Sequence, residues 1–479
     1  MHTSIISLSK QLLQHVVVNS SLSSEKPSIN CVASLLLLFG NVSRRFRCLI
    51  SRFVECSLCH KDAVFSIPLH YCPNSLTTTC SSLHLFDSSD LQQLQQVPLS
   101  LVKELTFRKG NYIAVLSVLD SFSSLRSLTI ETQLPFGLSF PNHFSRTLTS
   151  LALHNCRIYD IVDISVLSSL EQFSLSHLCF TNLDSFKVLK KLRCIKLDSC
   201  SQLDCIEGIS RLSNLISLEI SNCRSLRFIG TIATNSNFQS LAFSNCLGQI
   251  SQCLLTNFQY NPLLYLSTLT VSCTDQSAKL VSRRFPNLKQ LCIETGSFSN
   301  FEAFSSLSFL QSLTVESNST LDLQSIGLLN VTELRLKAVQ LSNFNYLRFC
   351  KSLLVLNIDV DECELFSLEN LNQVEHLVFS CSSLLSFSLS NFEKCSSVVV
   401  TLGSSQLCKI NNFKSLKRLS LDGNVTSLGI SNCNVLRFVD LCDSVQAVAL
   451  YKLPRLPKMT TSSKSIICCL DVDGCFPSE

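Results

Sequence analysis

Residues Leu192 to Leu215 read LRCIKLDSCSQLDCIEGISRLSNL, and their spacing decides the architecture. Leu192, Ile195 and Leu197 stand at i, i+3 and i+5. Leu203, Ile206, Ile209 and Leu212 follow at steps of three, and Leu215 opens the pattern again. An i, i+3, i+5 triplet does not fit the 3.6-residue period of an amphipathic helix. Its last two positions alternate as in a strand, so Ile195 and Leu197 share one face and Lys196 takes the other. The rest of the unit is only about a dozen residues long, too short for a layer of full helices, and is expected to return as extended or 3₁₀ turns.

The triplet recurs along most of the chain. Its clearest copies begin at Leu125, Leu148, Leu192, Leu215, Phe238, Leu266, Leu288, Leu310, Val331, Leu353, Val374, Leu416 and Leu436. Cys80, Val102, Leu170 and Cys395 begin weaker ones. Most steps are about 22 residues, and the step from Phe238 to Leu266 is longer. Eight residues after the first apolar position stand Cys156, Cys200, Cys223, Cys246, Asn318 and Asn424. There the chain is expected to turn inward, and a short side chain with a donor can satisfy carbonyls at the bend.

This pattern resembles the 22-residue class of leucine-rich repeats. The resemblance implies an α/β fold: a curved horseshoe solenoid with a parallel sheet on its concave face and a 3₁₀ or irregular convex side. No unit can bury its apolar side alone, so stacking must bury one continuous core. The expected solenoid spans residues 76–444. Residues 445–479 are expected to form an irregular C-terminal cap with one last repeat-like strand, Ile467-Leu470-Val472. Between Leu416 and Leu441 the register can be drawn two ways, because Val425-Leu428-Ile430 also fits the triplet.

Residues 1–75 do not repeat and are expected to be helical. Leu8-Ser9-Lys10-Gln11-Leu12-Leu13-Gln14-His15-Val16-Val17 and Val42-Ser43-Arg44-Arg45-Phe46-Arg47-Cys48-Leu49-Ile50 resemble the two ends of an F-box, the module that docks onto a Skp1-like adaptor of ubiquitin ligases. The resemblance assigns adaptor contact to Leu8, Leu12, Leu13, Val16, Val42, Phe46 and Leu49. Ser9 and Gln11 depart from the family's Pro and Glu, and the spacer containing Ser20–Asn30 is longer than usual. A second reading stands beside it, in which these are amphipathic helices capping the first repeat.

About 85 Leu and about 79 Ser make up roughly a third of the 479 residues, the bias of a repeat. Hydrophobic residues at 46% exclude a disordered chain. A net charge of +4 provides no steering field for nucleic acid. The longest aliphatic run, Leu35 to Phe39, is far short of the roughly 20 residues of a membrane span. Without a basic start before an apolar stretch, a leader peptide is not expected, and the cytoplasm or nucleus is the expected location. The 26 cysteines are dispersed and often fall at one place in the repeat, which fits buried free thiols better than a disulfide framework. Cys56-Ser57-Leu58-Cys59-His60 matches a haem-attachment motif, and Cys56, Cys59, His70 and Cys72 carry zinc-ligand chemistry. Neither has the supporting spacing or partner, and a buried-thiol cluster is the preferred reading. Phosphate-loop, nucleophile-elbow and metalloprotease motifs are absent, so no enzyme, cofactor or metal is expected.

Function should then reside on the outward strand positions. They are mostly small and polar, interrupted at His154, Lys196, Glu219, Arg335, Asn357 and Asp440, the candidate contacts for a protein target on the concave face. With the N-terminal resemblance, the leading expectation is a non-enzymatic substrate receptor of an SCF-type ubiquitin ligase. A repeat-only regulatory module and, less favoured, a secreted recognition protein are the alternatives.

Overall fold

The computed structural model describes residues 82–85, 99–107, 118–131, 140–155, 162–177, 180–229, 237–246, 263–296, 298–442, 444–461 and 466–470. The N-terminal candidates Leu8 to Leu49, the group Cys56, Cys59, His70 and Cys72, and Cys156 lie outside the described residues.

The chain forms two compact units, Met1–Thr132 and Gln133–Glu479. Triplets occur on both sides of residue 132. In the first unit β1 (Ser82–Leu85), β2 (Glu104–Phe107) and β3 (Ser127–Ile130) pair in parallel, with Leu105 opposite Leu128 and Phe107 opposite Ile130. Leu105, Phe107, Leu128 and Ile130 are buried, as are Leu119, Phe122 and Leu125.

The second unit begins with β4 (Ser150–His154), β5 (Gln172–Ser176), β6 (Cys194–Asp198), β7 (Ser217–Ser221), β8 (Ser240–Ser244), β9 (Thr268–Ser272), β10 (Gln290–Thr295) and β11 (Ser312–Ser317). Each pairs in parallel with the next, and the ladder passes on to β13 (Glu333–Ala338) and β15 (Val355–Glu369). Register matches the triplets: Leu151, Phe173, Ile195, Leu218, Leu241 and Leu269 form one inward row, all nearly solvent-free. Full burial of each such side chain contributes about 1.5–3 kcal/mol. With coils stacked this way, the second unit is a leucine-rich-repeat solenoid.

Two kinds of return path close the coils, and apolar spacing selects between them. Where apolar residues recur every third position the return is 3₁₀, with three residues per turn. Examples are Asp184–Val188, Glu207–Arg211, Phe301–Phe304 and Phe344–Phe349. Ile206, Ile209, Leu212 and Leu215 are fully buried by it. In this packing the backbone of Leu183 lies against Gly208, where a Cβ would sit 2.3 Å from the Leu183 carbonyl oxygen. Among the described residues, besides the single turn α1 (Phe144–Thr147), one longer helix, α2 (Asp275–Arg284), replaces a 3₁₀ return. Thr274 and Ser277 cap it reciprocally, satisfying two backbone N–H groups at its start.

Further along, the spacing changes to two and the return becomes a strand. Two short segments, β12 (Thr320–Asp322) and β14 (Gln340–Ser342), already pair on the return side. Then β15, β16 (His376–Phe392), β17 (Ser397–Phe413) and β18 (Arg418–Ser431) each run through a corner and serve two ladders. Phe366, Phe387, Cys408 and Leu428 form one buried row of the second ladder. The Phe366 and Phe387 rings stack at 5.7 Å and 5°, and those of Phe392 and Phe413 at 4.6 Å and 5°. At the β18 corner Gly423 has φ +121°, and a Cβ there would lie 1.5 Å from the Leu402 carbonyl oxygen.

Two expectations are corrected by this second ladder, and the register left open between Leu416 and Leu441 is assigned. The return side, expected to be 3₁₀ or irregular, is 3₁₀ in the earlier described coils and strand from β15 onward. The two registers between Leu416 and Leu441 are both real: Leu419 and Leu421 belong to the first ladder, Leu428 and Ile430 to the second. The first continues through β19 (Phe438–Leu441) to β21 (Lys458–Thr461), the second through β20 (Ala447–Tyr451) to β22 (Ile466–Leu470). Among the described residues after 445, β20, β21 and β22 thus carry regular parallel pairing where an irregular cap was expected. Ile467 lies opposite Val448, so this strand extends the second ladder and opens no new triplet.

Candidate functional site

Alternation along each strand sends every second side chain away from the core, and the parallel register lines these residues up. The central outward row runs Ala152, Ser174, Lys196, Glu219, Ala242, Thr270, Cys292, Thr314, Arg335, Asn357, Val378, Val399, Ser420, Asp440 and Thr460. At ~4.8 Å per strand it is about 65 Å long along its contour. Five of the six candidate contacts fall in it: Lys196, Glu219, Arg335, Asn357 and Asp440. His154 stands two residues further along its strand, in the neighbouring outward row with Ser176.

The candidates do not converge on one point. Lys196 and Glu219 are opposite each other and form an ion pair, Nζ to Oε2 2.6 Å. Both are well exposed, so the pair contributes at most about 1 kcal/mol. About 24 Å further on come Arg335 and Asn357, again opposite each other. Glu333 holds Arg335 through Nε at 2.8 Å and Nη2 at 2.6 Å. About 19 Å beyond stands Asp440, which accepts from Arg418 Nε at 3.0 Å and from the Thr460 hydroxyl. These two donors hold the Asp440 carboxyl below its ordinary value. His154 Nδ1 lies 2.8 Å from Ser176 Oγ.

The neighbouring outward row holds acidic groups absent from the sequence-based set. Glu294 and Glu316 are directly opposite each other, and Lys337 and Asp359 follow. Asn245 N donates to Glu294 Oε2 at 2.7 Å, and Asp198 accepts from Ser221 Oγ at 2.6 Å, Asn222 Nδ2 at 2.8 Å and Ser199 Oγ at 3.1 Å. Burial pushes the Asp198 carboxyl up, but these hydrogen bonds outweigh it and the net shift is downward. The signal for this row was available: residues two beyond each central outward position share its face.

The bend falls one residue earlier than the spacing predicts. Asn155, His177, Ser199, Asn222 and Asn245 take left-handed backbone with φ between 49° and 59°. Asn tolerates that conformation better than most residues. Asn245 Nδ2 donates to Asn222 Oδ1 at 2.7 Å, so the bend residues also bond coil to coil. Cys200 and Cys223 follow them as fully buried free thiols, donating to the carbonyls of Asp198 and Ser221 at 3.5 and 3.3 Å. Asn318 and Asn424, expected at the same inward bend, are exposed. Beside Asn318 the strand runs one residue longer, and buried Ser317 donates to Gly296 O at 2.9 Å in its place.

Burial pushes the thiols of Cys350, Cys395 and Cys408 up to about 12, out of the range of an active nucleophile. Among the described residues no group of three or more His, Cys, Asp and Glu is placed to hold a metal ion. No helix among them is long and apolar enough to cross a membrane.

No family model matches the chain, and the search of curated proteins finds no relative. Among solved structures it is similar to an internalin from Listeria monocytogenes (15% identity, 71% of this chain and 89% of that one, TM-score 0.41). It is also similar to TLR13 in a complex with ssRNA13 (15% identity, 76% and 64%, TM-score 0.44). A leucine-rich-repeat protein of Leptospira interrogans is a third (17% identity, 67% and 85%, TM-score 0.38).

Proposed function

We propose that the protein is a non-enzymatic interaction scaffold whose outward sheet face binds a protein target. The observation that carries this reading is the central outward row, an uninterrupted lane of mostly small and polar side chains about 65 Å long. Such a lane admits close approach of another macromolecule along many coils, and Lys196, Glu219, Arg335 and Asp440 supply sparse charges for choosing among partners.

In the finer reading the protein is the substrate receptor of an SCF-type ubiquitin ligase in the cytoplasm or nucleus. The F-box-like residues Leu8, Leu12, Leu13, Val16, Val42, Phe46 and Leu49 support it by sequence. The test is co-purification of the full chain with a Skp1-type adaptor, alongside Leu12→Ala and Phe46→Ala variants. Recovery of adaptor by the native chain and its loss in both variants is the expected result. No recovery at micromolar concentration leaves the repeat-only module, which the sheet face supports by itself. Intact mass with and without reductant checks the compartment, since a reducing one predicts no mass change.

A further inference from the structure

Away from the outward rows, an open groove of about 440 Å³ lies where the late return segments lead into the sheet. It is lined by Glu375, Lys394, Ser396, Lys414, Ser415, Lys417, Val435 and Arg437. Four cations thus face one carboxylate. Lys414 is neutralised by Glu393, Nζ to Oε1 2.6 Å, and Lys394 donates to the neutral Gln373 at 2.7 Å. Lys394, Lys417 and Arg437 are exposed and carry no ion pair among the described residues.

The backbone fixes the spacing of these charges. Ser396 N donates to Glu375 O, Lys417 N to Ser396 O and Arg437 N to Lys417 O, at 2.9–3.0 Å. Glu375, Ser396, Lys417 and Arg437 therefore form one hydrogen-bonded file across four coils, rising ~4.8 Å per step. The serines tie the coils further: Ser415 Oγ donates to Glu393 O at 2.6 Å and Ser396 Oγ to Glu375 O at 3.3 Å. Positive charge is thus concentrated at one end of a rigid file and a carboxylate stands at the other.

We propose that this groove is a second binding site, taking an acidic peptide segment laid along the solenoid axis. Lys417, Arg437 and Lys394 would meet its carboxylates, and Val435, 41% exposed, would take an apolar side chain. A nucleic acid fits less well. No aromatic ring lines the groove for base stacking. Three cations without an ion pair among the described residues are also fewer than the phosphate contacts that sustain nucleic-acid affinity, and Glu375 repels a uniform polyanion. The inference is independent of what the outward sheet face binds.

The test uses the full chain and fluorescein-labelled hexaglutamate, followed by anisotropy, with an oligothymidylate strand and hexalysine as comparison probes. Hexaglutamate should bind, weaken as salt is raised from about 50 to 200 mM, and lose about tenfold or more in affinity in Lys417→Glu/Arg437→Glu. Glu375→Gln should tighten it about twofold. All three positions are exposed, and circular dichroism confirms the fold of each variant. Should the double variant fail to fold, Glu375→Gln and the salt series still decide. Absence of hexaglutamate binding at millimolar concentration, affinity indifferent to these substitutions, or tighter binding of oligothymidylate would overturn the proposal.

Discussion

Replacing Phe387 by alanine tests the second ladder directly. Phe387 is fully buried, stacked on Phe366 at 5.7 Å and packed on Phe379 at 4.7 Å between ring centroids. Removing a buried phenyl ring costs about 3–5 kcal/mol through lost transfer energy and the cavity left behind. That total includes the loss of the two ring contacts, each worth about 0.5–1.5 kcal/mol. Because coils interact chiefly with their neighbours, the damage should stay local. Hydrogen exchange should accelerate in β15–β17, with little change in β4–β7. Leu385, two residues away and 52% exposed, is the control, and Leu385→Ala should cost less than about 1 kcal/mol. On an irregular convex side the two substitutions would be equivalent. A Phe387→Ala cost below about 1 kcal/mol by urea denaturation, or uniform acceleration of exchange across the unit, would refute the reasoning.

Gly423→Ala should lower the thermal midpoint, since left-handed backbone and collision with Leu402 O together cost upwards of about 1–3 kcal/mol. Gly296→Ala, with nothing within 4 Å, should change it little. The folded Asp198 carboxyl is held below the unfolded value of 3.8, so its stabilisation is complete above that value and lost as pH falls through the lowered folded one. Asp198→Asn should therefore be less stable than the native chain at pH 7, with the gap closing in acid-denaturation curves toward pH 2. Cys350, Cys395 and Cys408, pushed up to about 12 by burial, should resist iodoacetamide at pH 8 in the native protein and react after unfolding, as peptide mass mapping would report.

Much of the sheet was legible because its inward positions repeat. Leu151, Ile195, Leu218 and Leu313 are buried where the triplet places them. The second ladder was legible only in part. Val425-Leu428-Ile430 looked like a rival register because a strand in either ladder needs the same alternation. The distinguishing cue was the change from steps of three, as in Ile206-Ile209-Leu212, to steps of two, as in Phe366-Leu368 and Phe387-Leu389. Of the outward candidates, the face was legible and the grouping was not, since Lys196 and Glu219 pair while Asp440 stands far along the sheet beside Arg418.

By itself, the order of residues determined the coil length, the inward rows and the face on which Lys196, Glu219, Arg335, Asn357 and Asp440 stand. Burial enforces these, because a slip of one residue would put leucines in water and lysines in the core. Only the tertiary structure decided which solvent-facing residues become neighbours: Glu294 with Glu316, Arg418 with Asp440, and Lys417 with Arg437 above Glu375. Exposed side chains carry no burial pattern to read, and their adjacency arises from the register between coils distant in sequence.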